Sequence, residues 1–123
     1  MDAVRILLVD DQPTYLRAMM SVVQETPSFV VVGEASSGEE SLVMAAEVVP
    51  DLVLMDVNLP GIDGVQATRL LRASDSPPVV VLVSTYDDDA GERFVAESGA
   101  AAYVTKSAFG PDRLLEVWIA SGR

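Results

Sequence analysis

Six side chains could do chemistry here: Asp10, Asp11, Asp56, Ser84, Thr85 and Lys106. Carboxylates, hydroxyls and one ammonium suit metal-assisted transfer of a phosphoryl group to a carboxylate. Crowded carboxylates repel one another unless a cation neutralises them. Mg²⁺ fits that need, because it takes hard oxygens in an octahedron and keeps waters that a substrate oxygen can replace. Asp56 is the expected nucleophile, since a carboxylate is ionised at neutral pH and needs no base. Lys106 supplies a point charge for a second phosphoryl oxygen. A Ser or Thr hydroxyl can donate to a third. Positioning and charge neutralisation are most of what such a transfer requires. Singly, each residue has a plainer role. Asp10-Asp11 before Gln12-Pro13 could open a helix, Ser84 could cap one, Lys106 could be a solvated strand end, and Asp56 could face water.

Their positions relative to the strands argue otherwise. The chain is organised around Asp51–Gly64, where Leu52 to Met55 form a short apolar run suited to a strand buried on both faces. That run stops at Asp56, a charge that a buried strand would not hold in its middle. Pro60-Gly61 then turns the chain, and Asp63 offers an N-cap to a helix over Gly64 to Arg72. Elsewhere Arg5 to Val9, Phe29 to Val32, Val79 to Val83 and Ala101 to Thr105 read as strands, with Gly33 closing the second. Helices are expected from Pro13 to about Glu25, from a Ser37-x-x-Glu40 capping box to Pro50, from an Asp87 or Asp88 cap to Gly99, and after Pro111. Leu114, Leu115 and Trp118 form the expected inward stripe of the last helix, and Tyr15, Ala18, Met19 and Val22 that of the first. Asp87-Asp88-Asp89 read simply as acids in a first helical turn.

Strict alternation of this kind implies one α/β domain with a parallel sheet, right-handed crossovers and helices on both faces. Parallel strands bring the residues that follow them to one edge, where open α/β sheets bind ligands. Asp10-Asp11, Asp56, Ser84-Thr85 and Lys106 are those residues, so they converge on one mouth.

The 123 residues bound the alternatives. Half are hydrophobic, which excludes disorder, and there is no cysteine or histidine, which excludes disulfides, thiolate metal sites and His- or Cys-based triads. A net charge of −11 argues against direct nucleic-acid contact by these residues. Met1-Asp2-Ala3-Val4-Arg5 has no signal-peptide character and no apolar run reaches membrane-spanning length, so the expectation is a soluble cytoplasmic protein.

Asp10-Asp11, the Asp56-Val-Asn-Leu-Pro-Gly-Ile-Asp-Gly64 segment, Ser84-Thr85 and Tyr103-Val-Thr-Lys106, in this order and spacing, resemble the receiver domain of bacterial two-component response regulators over essentially the whole chain. The resemblance implies a flavodoxin-like, doubly wound, five-stranded sheet of order 2-1-3-4-5 with five helices. It implies that Asp56 accepts phosphate from a phosphohistidine on a sensor histidine kinase. It also implies Mg²⁺ held by Asp10, Asp11, Asp56 and the backbone carbonyl of Asn58, with Lys106 on the phosphoryl group. Ser84 resembles the switch hydroxyl, Tyr103 the aromatic that turns inward with it, and Thr85 the small residue that keeps the pocket open. Gly33-Glu34-Ala35-Ser36-Ser37-Gly38-Glu39-Glu40 and the serine switch resemble regulators with a LuxR-type helix-turn-helix output domain. Such a domain is not among these residues, so either it lies beyond Arg123 or the receiver acts alone through protein contacts. Residues 1–121 are read as the receiver and 122–123 as a possible linker start, with a homodimer possible on phosphorylation.

One departure stands out. Ser107 follows Lys106 where many members have proline, and a cis bond, often present there in the family, is costly before serine. Tyr86 could shield the acyl phosphate from water or pack on the fourth helix. Leu16 and Met20, four apart, fall beside the first helix's inward stripe and near the Asp11 edge, where a kinase helix would dock. Two rival functions fit the chain less well. An aspartyl-phosphate hydrolase would have Asp-x-Asp where this chain has Asp56-Val57-Asn58, and a flavodoxin-like cofactor binder would not place two acids after its first strand.

Overall fold

The computed structural model describes residues 2–122. Strands and helices alternate as β1 (Val4–Val9), α1 (Pro13–Gln24), β2 (Phe29–Ala35), α2 (Gly38–Val48), β3 (Leu52–Met55), α3 (Gly64–Arg72), β4 (Val79–Ser84), α4 (Asp88–Ser98), β5 (Ala102–Thr105) and α5 (Pro111–Ala120). All neighbouring strands are parallel and lie in the order β2-β1-β3-β4-β5, the flavodoxin-like order expected. Arg123, in the expected linker start, lies outside the described residues, as does Met1.

The two-residue period of the strands sorts the core into two layers. Leu7, Val9, Val53, Met55, Val80 and Leu82 pack towards α2, α3 and α4. Ile6, Leu8, Leu52, Leu54, Val81 and Val83 pack towards α1 and α5. Every residue of β3 is fully buried, as a central parallel strand requires. The helices begin where their caps predict. Ser37 Oγ accepts from Glu40 N–H at 3.0 Å, while Glu40 Oε1 reaches back to Ser36 N–H at 2.7 Å. Asp63 and Asp87, not Asp88, cap α3 and α4.

Several expectations need correcting. Gly33 does not close β2, which runs on to Ala35. The register with β1 slips between Ile6 and Leu7, whose partners are Val31 and Gly33, so Val32 is an extra residue in a bulge. A Cβ at Gly33 would come within 3.2 Å of Met44, so the glycine also lets α2 approach the sheet. On α5 the inward residues are Leu114 and Val117, with Trp118 half-buried against Phe29, whereas Leu115 is exposed. On α1 they are Met19 and Val23, and Ala18 is exposed. In both helices a one-residue error is a 100° rotation about the axis.

Candidate functional site

The carboxyl edge of the sheet collects the expected groups. Asp10 follows β1, Asp56 follows β3, Ser84 ends β4, and Lys106 opens a single 3₁₀ turn, Lys106–Ala108, after β5. Asp10, Asp56 and Ser84 are buried, because the strands that carry them are covered on both faces. Ser84 Oγ donates to Asp56 Oδ1 at 2.8 Å, and the Asn58 N–H reaches the same oxygen at 3.2 Å. Lys106 Nζ lies 2.9 Å from Asp10 Oδ2 and 3.4 Å from Asp56 Oδ2. It also stands 3.5 Å from Gln12 Oε1.

Asp10 Oδ1 accepts from the Gln12 N–H at 2.8 Å. Asp10 Oδ2 is buried, and its partner is the Lys106 ammonium, an ion pair rather than an aligned hydrogen bond. Burial pushes the Asp10 carboxyl above the usual carboxylate range, and the charge of Asp56 adds to this, with Lys106 and the Gln12 N–H opposing. Lys106 is pulled down by burial, but its contact with Asp10 and the charge of Asp56 outweigh that and leave it raised. This is a site short of positive charge.

Asp11 is exposed at the mouth, yet one oxygen from each of Asp10, Asp11 and Asp56 lies within 4.8 Å of the others. The fit to Mg²⁺ rests on that donor set: hard oxygens only, in a chain without histidine or cysteine, with Asp10 Oδ2 buried and under-satisfied.

The remaining expected residues lie further out. Thr85 and Asn58 are exposed at the rim. The Tyr103 hydroxyl donates to the Tyr86 carbonyl at 2.6 Å, not to Asp56, and its ring lies over Gly91, where a Cβ would collide with it. Burial pushes the Tyr103 phenol up to about 12, with the charges of Asp88, Asp56 and Asp87 adding to it. The Tyr86 ring meets Phe94 of α4 edge-on, with centroids 5.2 Å apart, so it packs on the fourth helix. Leu16 and Met20 are half-buried against the α1–α5 layer rather than free in solvent. The Lys106–Ser107 bond is trans, as are the other described peptide bonds.

Three participants escaped the sequence reading. Gln12 touches both Asp10 and Lys106, and its place directly after the acidic pair was the available signal. Tyr15, assigned to the core stripe, has its ring centroid 4.3 Å from Lys106 Nζ. Gly91 admits the Tyr103 ring.

A five-stranded doubly wound sheet with an acidic, lysine-bearing mouth defines a class, and comparison gives the family. Residues 6–118 match the family model described as the response regulator receiver domain, and the chain belongs to that family. It is 42% identical over 105 residues to the response regulator GacA of Pseudomonas viridiflava, covering 85% of this chain and 49% of that protein. It is 37% identical over 105 residues to the transcriptional regulatory protein LiaR of Bacillus subtilis, covering 85% of this chain and 49% of that protein. The chain thus spans about half the length of these relatives. Among solved structures it resembles a LuxR-family two-component response regulator from Aurantimonas sp. SI85-9A1, with a TM-score of 0.87 and 34% identity over 99% of this chain and 88% of that one. Phosphorylation-dependent signalling within a two-component system follows from the family. No helix among the described residues is long and apolar enough to cross a membrane.

Proposed function

We propose that Asp56 takes the phosphoryl group from a phosphohistidine of a sensor histidine kinase, with Mg²⁺ held by Asp10, Asp11, Asp56 and the Asn58 carbonyl. The observation that carries this reading is the meeting of Asp56 with Ser84 at 2.8 Å and Lys106 at 3.4 Å beside the other carboxylates. An Asp56 oxygen forms the new bond to phosphorus as the phosphorus–nitrogen bond breaks, and the imidazole nitrogen keeps the bonding pair. Lys106 holds a phosphoryl oxygen by charge, and Ser84 donates to another. Bound Mg²⁺ supplies the charge neutralisation that lets an anionic group enter this acidic mouth. Water attack on the acyl phosphate later resets the switch, so the catalysis is confined to the domain's own phosphorylation and dephosphorylation.

Output follows from the same residues. Ser84 leaves Asp56 Oδ1 for the phosphoryl group, Tyr103 follows, and the surface of α4 and β5 changes, opening the way to pairing with a second copy. Thr85 keeps the mouth open. Leu16 and Met20 present their edges beside Asp11 to a kinase helix. The LuxR-family and transcriptional relatives support control of transcription, through a DNA-binding region outside this chain, and the cytoplasm is the location proposed with it. Incubation with Mg²⁺ and a small acyl phosphate should add one phosphoryl group by intact mass, and Asp56→Asn should add none. A phosphorylated Asp56→Asn protein would sink the assignment.

A further inference from the structure

We infer that Tyr15 is a positioning residue for Lys106, its ring seating the ammonium and its hydroxyl holding the lysine's own backbone. This rests on the reading of Asp56 as phosphoacceptor and adds what holds the lysine in place beside it. Lysine is a point charge on a flexible four-carbon stem, so its neighbours decide which anion it meets most closely. Here that anion is Asp10, at 2.9 Å, while Asp56 waits at 3.4 Å. The ammonium has a further neighbour, the Tyr15 ring, whose centroid is 4.3 Å away, within cation–π range. At the other end of the residue the Tyr15 hydroxyl donates to the Lys106 carbonyl at 3.4 Å. One side chain thus touches both ends of Lys106.

The sequence makes this contact possible. Pro13 sets the start of α1, and the Tyr15 N–H bonds the Gln12 carbonyl at 3.0 Å, so the ring leaves the first turn after the acidic pair. The 3₁₀ turn brings Lys106 to it from 91 residues away. Burial, with the charges of Asp10 and Asp56, pushes the Tyr15 phenol up to about 12. At neutral pH a phenol is a neutral donor even at its ordinary value, so it adds no anion to compete for the lysine. The plain alternative is an aromatic that only packs, since Tyr15 also touches the α1–α5 core layer.

The test compares wild type, Tyr15→Phe and Tyr15→Leu. Phosphoryl uptake from a small acyl phosphate at saturating Mg²⁺ is followed by intact mass, alongside Mg²⁺ affinity and thermal melting. Loss of the ring in Tyr15→Leu should slow uptake roughly tenfold, the middle of the range for a partly buried cation–π contact. Tyr15→Phe, which keeps the ring, should recover most of the rate, to within roughly threefold of wild type. Mg²⁺ affinity should change by less than about twofold in both, because the hydrogen bonds of Tyr15 among the described residues go to Lys106 and Gln12 and not to a proposed ligand. Uptake by Tyr15→Leu equal to wild type overturns the inference. So does a loss of rate, Mg²⁺ affinity and melting temperature in parallel, which would mark a packing role. If wild type itself takes no phosphate, the phosphoacceptor reading falls first and this one with it.

Discussion

Two aspartates flank β3, Asp51 before Leu52 and Asp56 after Met55, and they live under opposite rules. Asp51 is woven into the backbone. Its carboxylate accepts the Arg5 N–H at 2.9 Å, its own N–H donates to the Arg5 carbonyl, and its carbonyl accepts from Val79. The same edge carries further closed pairs, with Arg5 on the Val49 carbonyl and Arg72 on the Pro78 carbonyl. Asp56, four strand residues away, is almost fully buried among two more carboxylates and a shared ammonium. One end of the sheet spends its charge on local order. The other accumulates charge that the fold does not neutralise. Local order accounts for the first kind of acid; the second kind is the one that the proposed Mg²⁺ and phosphoryl group would use.

Exchanging the treatment of the two positions breaks or sharpens this contrast. Asp56→Asn should lose phosphate uptake entirely, whereas Asp51→Ala should keep it and lose about 1–2 kcal/mol of stability as the Arg5 N–H loses its acceptor. Intact mass and urea unfolding of both variants decide it, and impaired uptake in a folded Asp51→Ala protein would erase the distinction. A further loss of stability, with phosphate uptake retained, is expected beside the site. Gly91→Ala drives a methyl into the Tyr103 ring and should cost about 1–3 kcal/mol, despite alanine's better helix propensity. Unchanged urea stability would mean that Tyr103 has room to move aside.

The last effect is a pH dependence confined to the alkaline range. Tyr103 is held near 12 in the fold against a reference value of 10.0, so the unfolded chain releases this proton first. The resulting stability is complete below pH 10 and disappears as pH rises towards about 12. Tyr103→Phe should therefore show a shallower loss of stability across that alkaline window, read from melting temperatures at successive pH values. An equal slope in both proteins would place the tyrosine in an unperturbed setting.

Much of this was legible in the chain because it is local. Apolar runs of four to six residues mark buried strands, caps such as Ser37 and Asp63 mark helix starts, and parallel strands send the residues after them to one edge. What was not legible depends on contacts distant in sequence. The bulge at Val32 depends on how β2 meets β1, and Gly33 looked like a stop when it is a gap for Met44. Leu115 and Ala18 were placed one residue off the stripe, which periodicity alone does not resolve when apolar residues adjoin. Tyr15 looked like core because an aromatic at helical spacing usually is, and its tie to Lys106 spans 91 residues.

In the proposed function, Asp10, Asp11 and Asp56 share one pocket whose repulsion a cation relieves. Thermal melts of wild type and Asp11→Asn, with and without Mg²⁺ at constant ionic strength, test it directly. Mg²⁺ binding only to the folded protein should stabilise wild type by about 1.4 kcal/mol at ~10 times Kd. Asp11→Asn removes a repelling charge together with a ligand. It should melt higher than wild type without metal and gain much less when metal is added. Equal Mg²⁺ responses in the two proteins would contradict a shared pocket.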